Sequence, residues 1–139
     1  MLRRLVGRPY PVDVLETARL VAFIPVADVA TARTFYKSTL GLRVMDDGPF
    51  ALVVDANGTM VRITPVPDLR PQPFTIAGWE VDDIESTVKE LGARGVRFHR
   101  YDGMDQSAEG VWASPGGSLV AWFADPDGNT LSLTQLSQP

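Results

Sequence analysis

The chain has 139 residues, 45% of them hydrophobic and 22% charged, the profile of a globular protein long enough to bury a core without staples. A net charge of −4 works against nucleic-acid binding, which asks for a basic face, and the absence of cysteine excludes disulfides, thiolate nucleophiles and cysteine zinc sites.

Residues 1–18 read as an N-terminal extension. Its Arg3, Arg4 and Arg8 surround Leu2, Leu5 and Val6, too short an apolar stretch for a secretory signal. An apolar strand from Val21 ends at Asp28, whose carboxylate suits a helix N-cap. The helix is predicted over 29–40, with Val29, Ala32, Phe35 or Tyr36, and Leu40 on one stripe and Gly41 ending it. Three strands follow, over 43–46, 50–55 and 59–64, the last two joined by the turn Asp55, Ala56, Asn57, Gly58. Residues 65–73 hold four prolines and predict a stiff, extended linker. A fifth strand ends at Asp83. The second helix is predicted over 84–93, with Ile84, Val88 and Leu91 as its stripe. Strands over 96–101, ending near Ala124, and over 130–135 complete the chain. Residues 101–117 are rich in Gly, Asp and Ser, without periodicity, and suit a lid, a binding loop or a solvated excursion.

The order of elements repeats. Ile76 to Asp83 matches Val21 to Asp28 at a spacing of 55 residues, and Asp125 to Gly128 matches Asp55 to Gly58 at a spacing of 70. The second half therefore carries 15 extra residues, placed at the loop 101–117. The chain divides into a first βαβββ module at 19–64, the linker 65–73 and a second module at 74–136, in one structural domain.

Phe35-Tyr36-Lys37-Ser38-Thr39-Leu40-Gly41-Leu42 and Ala121-Trp122-Phe123-Ala124-Asp125-Pro126-Asp127-Gly128-Asn129 are the most distinctive segments. On these motifs the chain resembles the glyoxalase/bleomycin-resistance/dioxygenase (vicinal oxygen chelate) superfamily, from about Ala18 to Gln135. The resemblance implies an α+β fold of two βαβββ modules in tandem, each a curled four-stranded mixed sheet with a helix on its convex face. It also implies a homodimer and a small-molecule ligand, and leaves the reaction open.

Strand parity separates the faces. Leu131, Leu133, Val61 and Ile63 belong to the helix side. Val21, Phe23, Pro25, Met60, Arg62, Ile76, Gly78, Glu80 and Ser132 are expected on the cavity side. In metal-dependent members of the superfamily, one ligand sits on each of four strands. The matching positions here are Val21, Arg62, Ile76 and Ser132, which offer two hydrocarbons, a guanidinium and a hydroxyl. No metal and no other cofactor is expected.

Among the candidates, Arg62 reads as a clamp for a ligand carboxylate or phosphate, or as the ion-pair partner of Glu80. Glu80 reads as that partner or as a general base, and Ser132 as a polar lining residue. Phe23 and Met60 line the pocket. Trp112 is the tryptophan placed to touch a ligand, whereas Trp79 belongs to the helix side and Trp122 is left open. His99, the single histidine, reads as structural or as a proton shuttle. Asp102, Asp105 and Glu109 fit no calcium loop. The sequence contains no phosphate loop, nucleophile elbow or paired-histidine zinc motif. The leading reading is a cytoplasmic, homodimeric small-molecule-binding protein with a partly apolar, anion-preferring pocket that touches neither nucleic acid nor membrane. A lyase, isomerase or dioxygenase, metal-dependent or metal-free, is the second, and a structural module with a vestigial cavity the third.

Overall fold

The computed structural model describes residues 13–138, so most of the N-terminal extension lies outside the described residues. The first unit comprises β1 (Val21–Val26), α1 (Val29–Arg33), β2 (Arg43–Asp47), β3 (Leu52–Ala56) and β4 (Thr59–Pro65). The second comprises β5 (Thr75–Glu80), α2 (Ile84–Ala93), β6 (Trp112–Ala113), β7 (Leu119–Ala124) and β8 (Thr130–Gln135). Each forms a four-stranded mixed sheet, ordered β1-β4-β3-β2 and β5-β8-β7-β6. The central pairs β1/β4 and β5/β8 are parallel and the rest antiparallel. Neither sheet closes on itself. No helix among the described residues is long and apolar enough to cross a membrane.

Both aspartates cap as expected. Asp28 accepts from the backbone N–H of Thr31 at 3.2 Å and its hydroxyl at 2.6 Å, and Asp83 accepts from the N–H of Ser86 at 3.2 Å. The second helix has the span the stripe predicts. The first differs in winding. Beyond Arg33 it widens into a π-helical turn over Thr34–Thr39, where the N–H of Leu40 donates to the carbonyl of Phe35 at 2.9 Å. Wider winding reduces the angle between successive side chains. Phe35 and Tyr36 are therefore both buried, where α-helical spacing chose one of them.

The strand predicted over 96–101 is not formed. Phe98 makes only an isolated bridge to Phe123, and the outer strand of the second sheet is β6, from the end of the inserted loop. Side chains take up the backbone groups that a ladder would need. Gln106 accepts from the N–H of Tyr101 at 2.7 Å and donates to the carbonyls of His99 and Gly110 at 3.0 and 2.9 Å. Arg100 donates to the carbonyls of Ser107 and Ala108. The loop 101–117 is thus pinned from within.

The repeat holds in the ladders. Phe23 pairs with Arg62 as Gly78 pairs with Ser132. It slips at the start of β5, where a bulge between Thr75 and Ala77 pairs Thr75 with Thr130 and packs Ile76 against the core. Ile76 was expected on the cavity side; at the bulge it is partly buried, packs against the core and also lines the open cleft beside β1.

One hydrophobic core serves both units. The helix sides of the two sheets contribute Ile24, Val61, Ile63, Ala121, Phe123, Leu131 and Leu133, and the helices contribute Phe35, Tyr36, Ile84, Val88 and Leu91. Phe35 of the first unit lies 6.5 Å from Phe123 of the second, between ring centroids. A polar knot, buried at Tyr36, Asp125 and Asn129, ties the same junction. The Tyr36 hydroxyl donates to Asp125, Asn129 donates to Asp125 and to the carbonyl of Pro25, and the N–H of Ala27 donates to Asp127. Burial first, and the Asp125 charge second, hold the Tyr36 phenol far above the ordinary tyrosine range.

Candidate functional site

The faces turned from this core carry the chemistry. On the first sheet, Phe23, Arg62 and Val53 form one row across β1, β4 and β3, with Val21 and Met60 in the next row. Val21, Phe23 and Met60 are 41%, 63% and 38% exposed, an uncovered apolar surface around one cation. Arg62 is half-buried and has no hydrogen bond or ion pair among the described residues. The expected pair with Glu80, which sits on the other sheet, is not formed.

On the second sheet the equivalent row is Gly78, Ser132 and Trp122, continued by His99, whose N–H donates to the Trp122 carbonyl at 2.7 Å. Gly78 has no side chain for a reason: a Cβ there would collide with the Ser132 hydroxyl, which leans over it and is buried. The next row is Glu80, Thr134, Val120 and Trp112. Trp112 and Tyr101 flank Trp122 at centroid distances of 6.0 and 5.6 Å, and His99 Nδ1 lies 3.0 Å from the Tyr101 hydroxyl.

A cleft of about 1050 Å³ opens where the edge strands β1 and β5 face one another. Its lining includes Phe23, Gly78, Trp79 and Glu80 together with Asp82 and Asp83, so its ionisable side chains are acidic. Arg62 lies outside this lining, and any preference for anions belongs to the face of the first sheet.

The six residues expected at the pocket therefore divide. Phe23 and Glu80 meet at the cleft; Met60 and Arg62 share the first sheet's open face with Phe23; Ser132 and Trp112 share the second sheet's open face with Glu80. Trp122 was legible by parity, since Ala121 and Phe123 on either side are core residues. Tyr101 stands in an irregular loop and had no such signal. His99 Nδ1 faces the Tyr101 hydroxyl, and Asp102, Asp105 and Glu109 gather no metal-binding group among the described residues.

A family model described as the Glyoxalase/Bleomycin resistance protein/Dioxygenase superfamily matches residues 17–133. Among solved structures, an antibiotic binding protein, TnmS3, from Streptomyces sp. CB03234 is 28% identical, with a TM-score of 0.63 over 86% of this chain and 95% of that one. A superfamily member from Sphaerobacter thermophilus is 27% identical, with a TM-score of 0.66 over 85% and 96%. A lactoylglutathione lyase from Agrobacterium tumefaciens shares the fold, at 15% identity and a TM-score of 0.67 over 86% and 93%. No curated protein matches the chain.

Proposed function

We propose that this chain, which belongs to the Glyoxalase/Bleomycin resistance protein/Dioxygenase superfamily, is a small-molecule-binding protein that works without the superfamily's metal centre. The observation that carries this reading is Arg62: a half-buried guanidinium without a hydrogen-bond or ion-pair partner among the described residues, set between Phe23 and Val53. A fixed charge in apolar surroundings asks for a counter-charge from outside the chain, and a guanidinium matches a carboxylate or phosphate in two parallel hydrogen bonds. The antibiotic binding relative supports the ligand class.

The residues at the superfamily's ligand positions do not fit a divalent metal. Val21 is a hydrocarbon and Ser132 a single hydroxyl. Ile76 is a hydrocarbon that the bulge packs against the core. Arg62 repels a cation before any bond forms. No metal-assisted step is therefore assigned.

The protein in this reading is a cytoplasmic homodimer of the two modules 19–64 and 74–136 joined by the linker 65–73, with Phe23, Met60, Arg62, Glu80, Trp112 and Ser132 as pocket residues. Apolar Val21, Phe23 and Met60 are the surface a second copy would cover. Calorimetry with a benzoate-type carboxylate tests the clamp. Arg62→Ala should cost roughly 1.5–3 kcal/mol of binding, the range for a hydrogen bond to a charged group. Unchanged binding would remove the proposal's basis.

A further inference from the structure

We propose that a groove at the junction of the two modules binds a small molecule with a phosphate head, at a site independent of Arg62. The groove holds about 480 Å³ and runs between the π-wound end of the first helix and the segment that leaves the second. Phe35, Val96 and Pro126 give it apolar walls, and Thr39, Arg94 and Arg97 supply polar ones. Neither Arg62 nor Trp122 nor Ser132 lines it. Asp125 is the only carboxylate in the lining, and it is buried with both oxygens taken: Oδ1 by the N–H groups of Asp127 and Asn129, Oδ2 by the Tyr36 hydroxyl and the Asn129 amide. In a chain of net charge −4, this groove carries a local excess of positive charge.

The end of the second helix brings the two arginines together. Arg94 caps α2, and Gly95 follows in the left-handed region at a φ of +95°, which turns the chain so that Arg97 lines the same groove. Backbone groups close this turn. The N–H groups of Arg94 and Val96 donate to the Leu91 carbonyl, and that of Gly95 to the Gly92 carbonyl, each at 3.0 Å. Neither guanidinium is therefore consumed in capping. Arg94 reaches across the junction to the Thr39 carbonyl at 3.1 Å, with Glu90 on its other nitrogen at 3.1 Å. Arg97 is exposed and has no hydrogen bond or ion pair among the described residues, and the Thr39 hydroxyl has no partner among them either. A phosphate accepts from several donors at once, two of them from one guanidinium. Held between Thr39 of the first module and Arg97 of the second, it ties the junction from outside.

The test titrates inorganic phosphate and butyl phosphate into the full chain carrying Arg62→Ala, so that the cation of the first sheet takes no part. Ionic strength is held constant with sodium chloride, binding is read by calorimetry and thermal unfolding, and circular dichroism confirms the fold of each variant. Both probes should bind saturably and raise the unfolding temperature. The butyl ester should bind about tenfold more tightly, because its chain covers the apolar walls. Adding Arg97→Gln should weaken both roughly tenfold or more, the loss of a charge-assisted hydrogen bond, whereas Arg97→Lys keeps part of the affinity. An effect no larger than that of chloride overturns the groove site, and so does binding undiminished by Arg97→Gln. Phosphate binding that is present in the unaltered chain and vanishes with Arg62→Ala belongs to the first sheet; it supports the clamp and overturns the groove site.

Discussion

The hydroxyl of Tyr36 donates to Asp125 Oδ2 at 2.7 Å, joining the first helix to the last hairpin across the junction of the two modules. Both residues are buried, so the bond lies where water cannot replace it. Tyr36→Phe keeps the ring and removes only the donor. It should lower unfolding free energy by roughly 1.5–3 kcal/mol, measured by urea denaturation. A loss within error would mean that the Asn129 amide and the backbone N–H groups of Asp127 and Asn129 satisfy the carboxylate without the phenol.

The same phenol sets an alkaline prediction. Its pKa is raised in the folded chain, so the stability it contributes is complete below the ordinary tyrosine value of 10.0 and is lost as pH climbs from there towards the folded value. Phenolate absorbance of the native protein should therefore be the same for wild type and Tyr36→Phe. An extra phenolate in the native wild type would contradict the burial of Tyr36.

Much of the architecture was legible because local rules agreed with the global fold. Asp28 and Asp83 capped helices where their carboxylates pointed, and the α2 stripe of Ile84, Val88 and Leu91 became its buried side. Two departures share a cause, a residue beyond the regular period. The π-wound turn buries both Phe35 and Tyr36, and the bulge shifts the register of β5 between Thr75 and Ala77. The loop after Phe98 was out of reach for another reason. Its path is fixed by the Gln106 and Arg100 side chains reaching backbone several residues away, which no periodicity encodes. For the candidate site, parity placed Arg62 correctly, but no local pattern told whether Glu80 was near enough to pair with it.

A homodimer is the next expectation, because exposed Val21, Phe23 and Met60 form a contiguous apolar surface on one sheet. Sedimentation at micromolar concentration should give twice the chain mass, and Phe23→Lys together with Met60→Glu should shift it towards the monomer. A wild-type monomer would refute this.

Elemental analysis after purification without chelators or an affinity tag should find less than stoichiometric zinc, iron, manganese or nickel, since Val21, Arg62, Ile76 and Ser132 give no donor set for them. One equivalent per chain, lost together with an activity on Glu80→Ala, would favour a lyase, isomerase or dioxygenase instead.

The knot around Asp125 also bears on how far the two halves of this chain have diverged. At the repeat spacing of 55 residues, the second helix carries Leu91 where the first carries Tyr36, and a leucine has nothing to donate. The earlier turn, in its place, spends its Asp55 carboxylate on the N–H of Gly58 within its own loop. Only one of the two equivalent positions forms a lock between the modules. The halves are consequently no longer exchangeable parts: a chain built from two copies of the first would have two keys and no keyhole, and one built from two copies of the second the reverse.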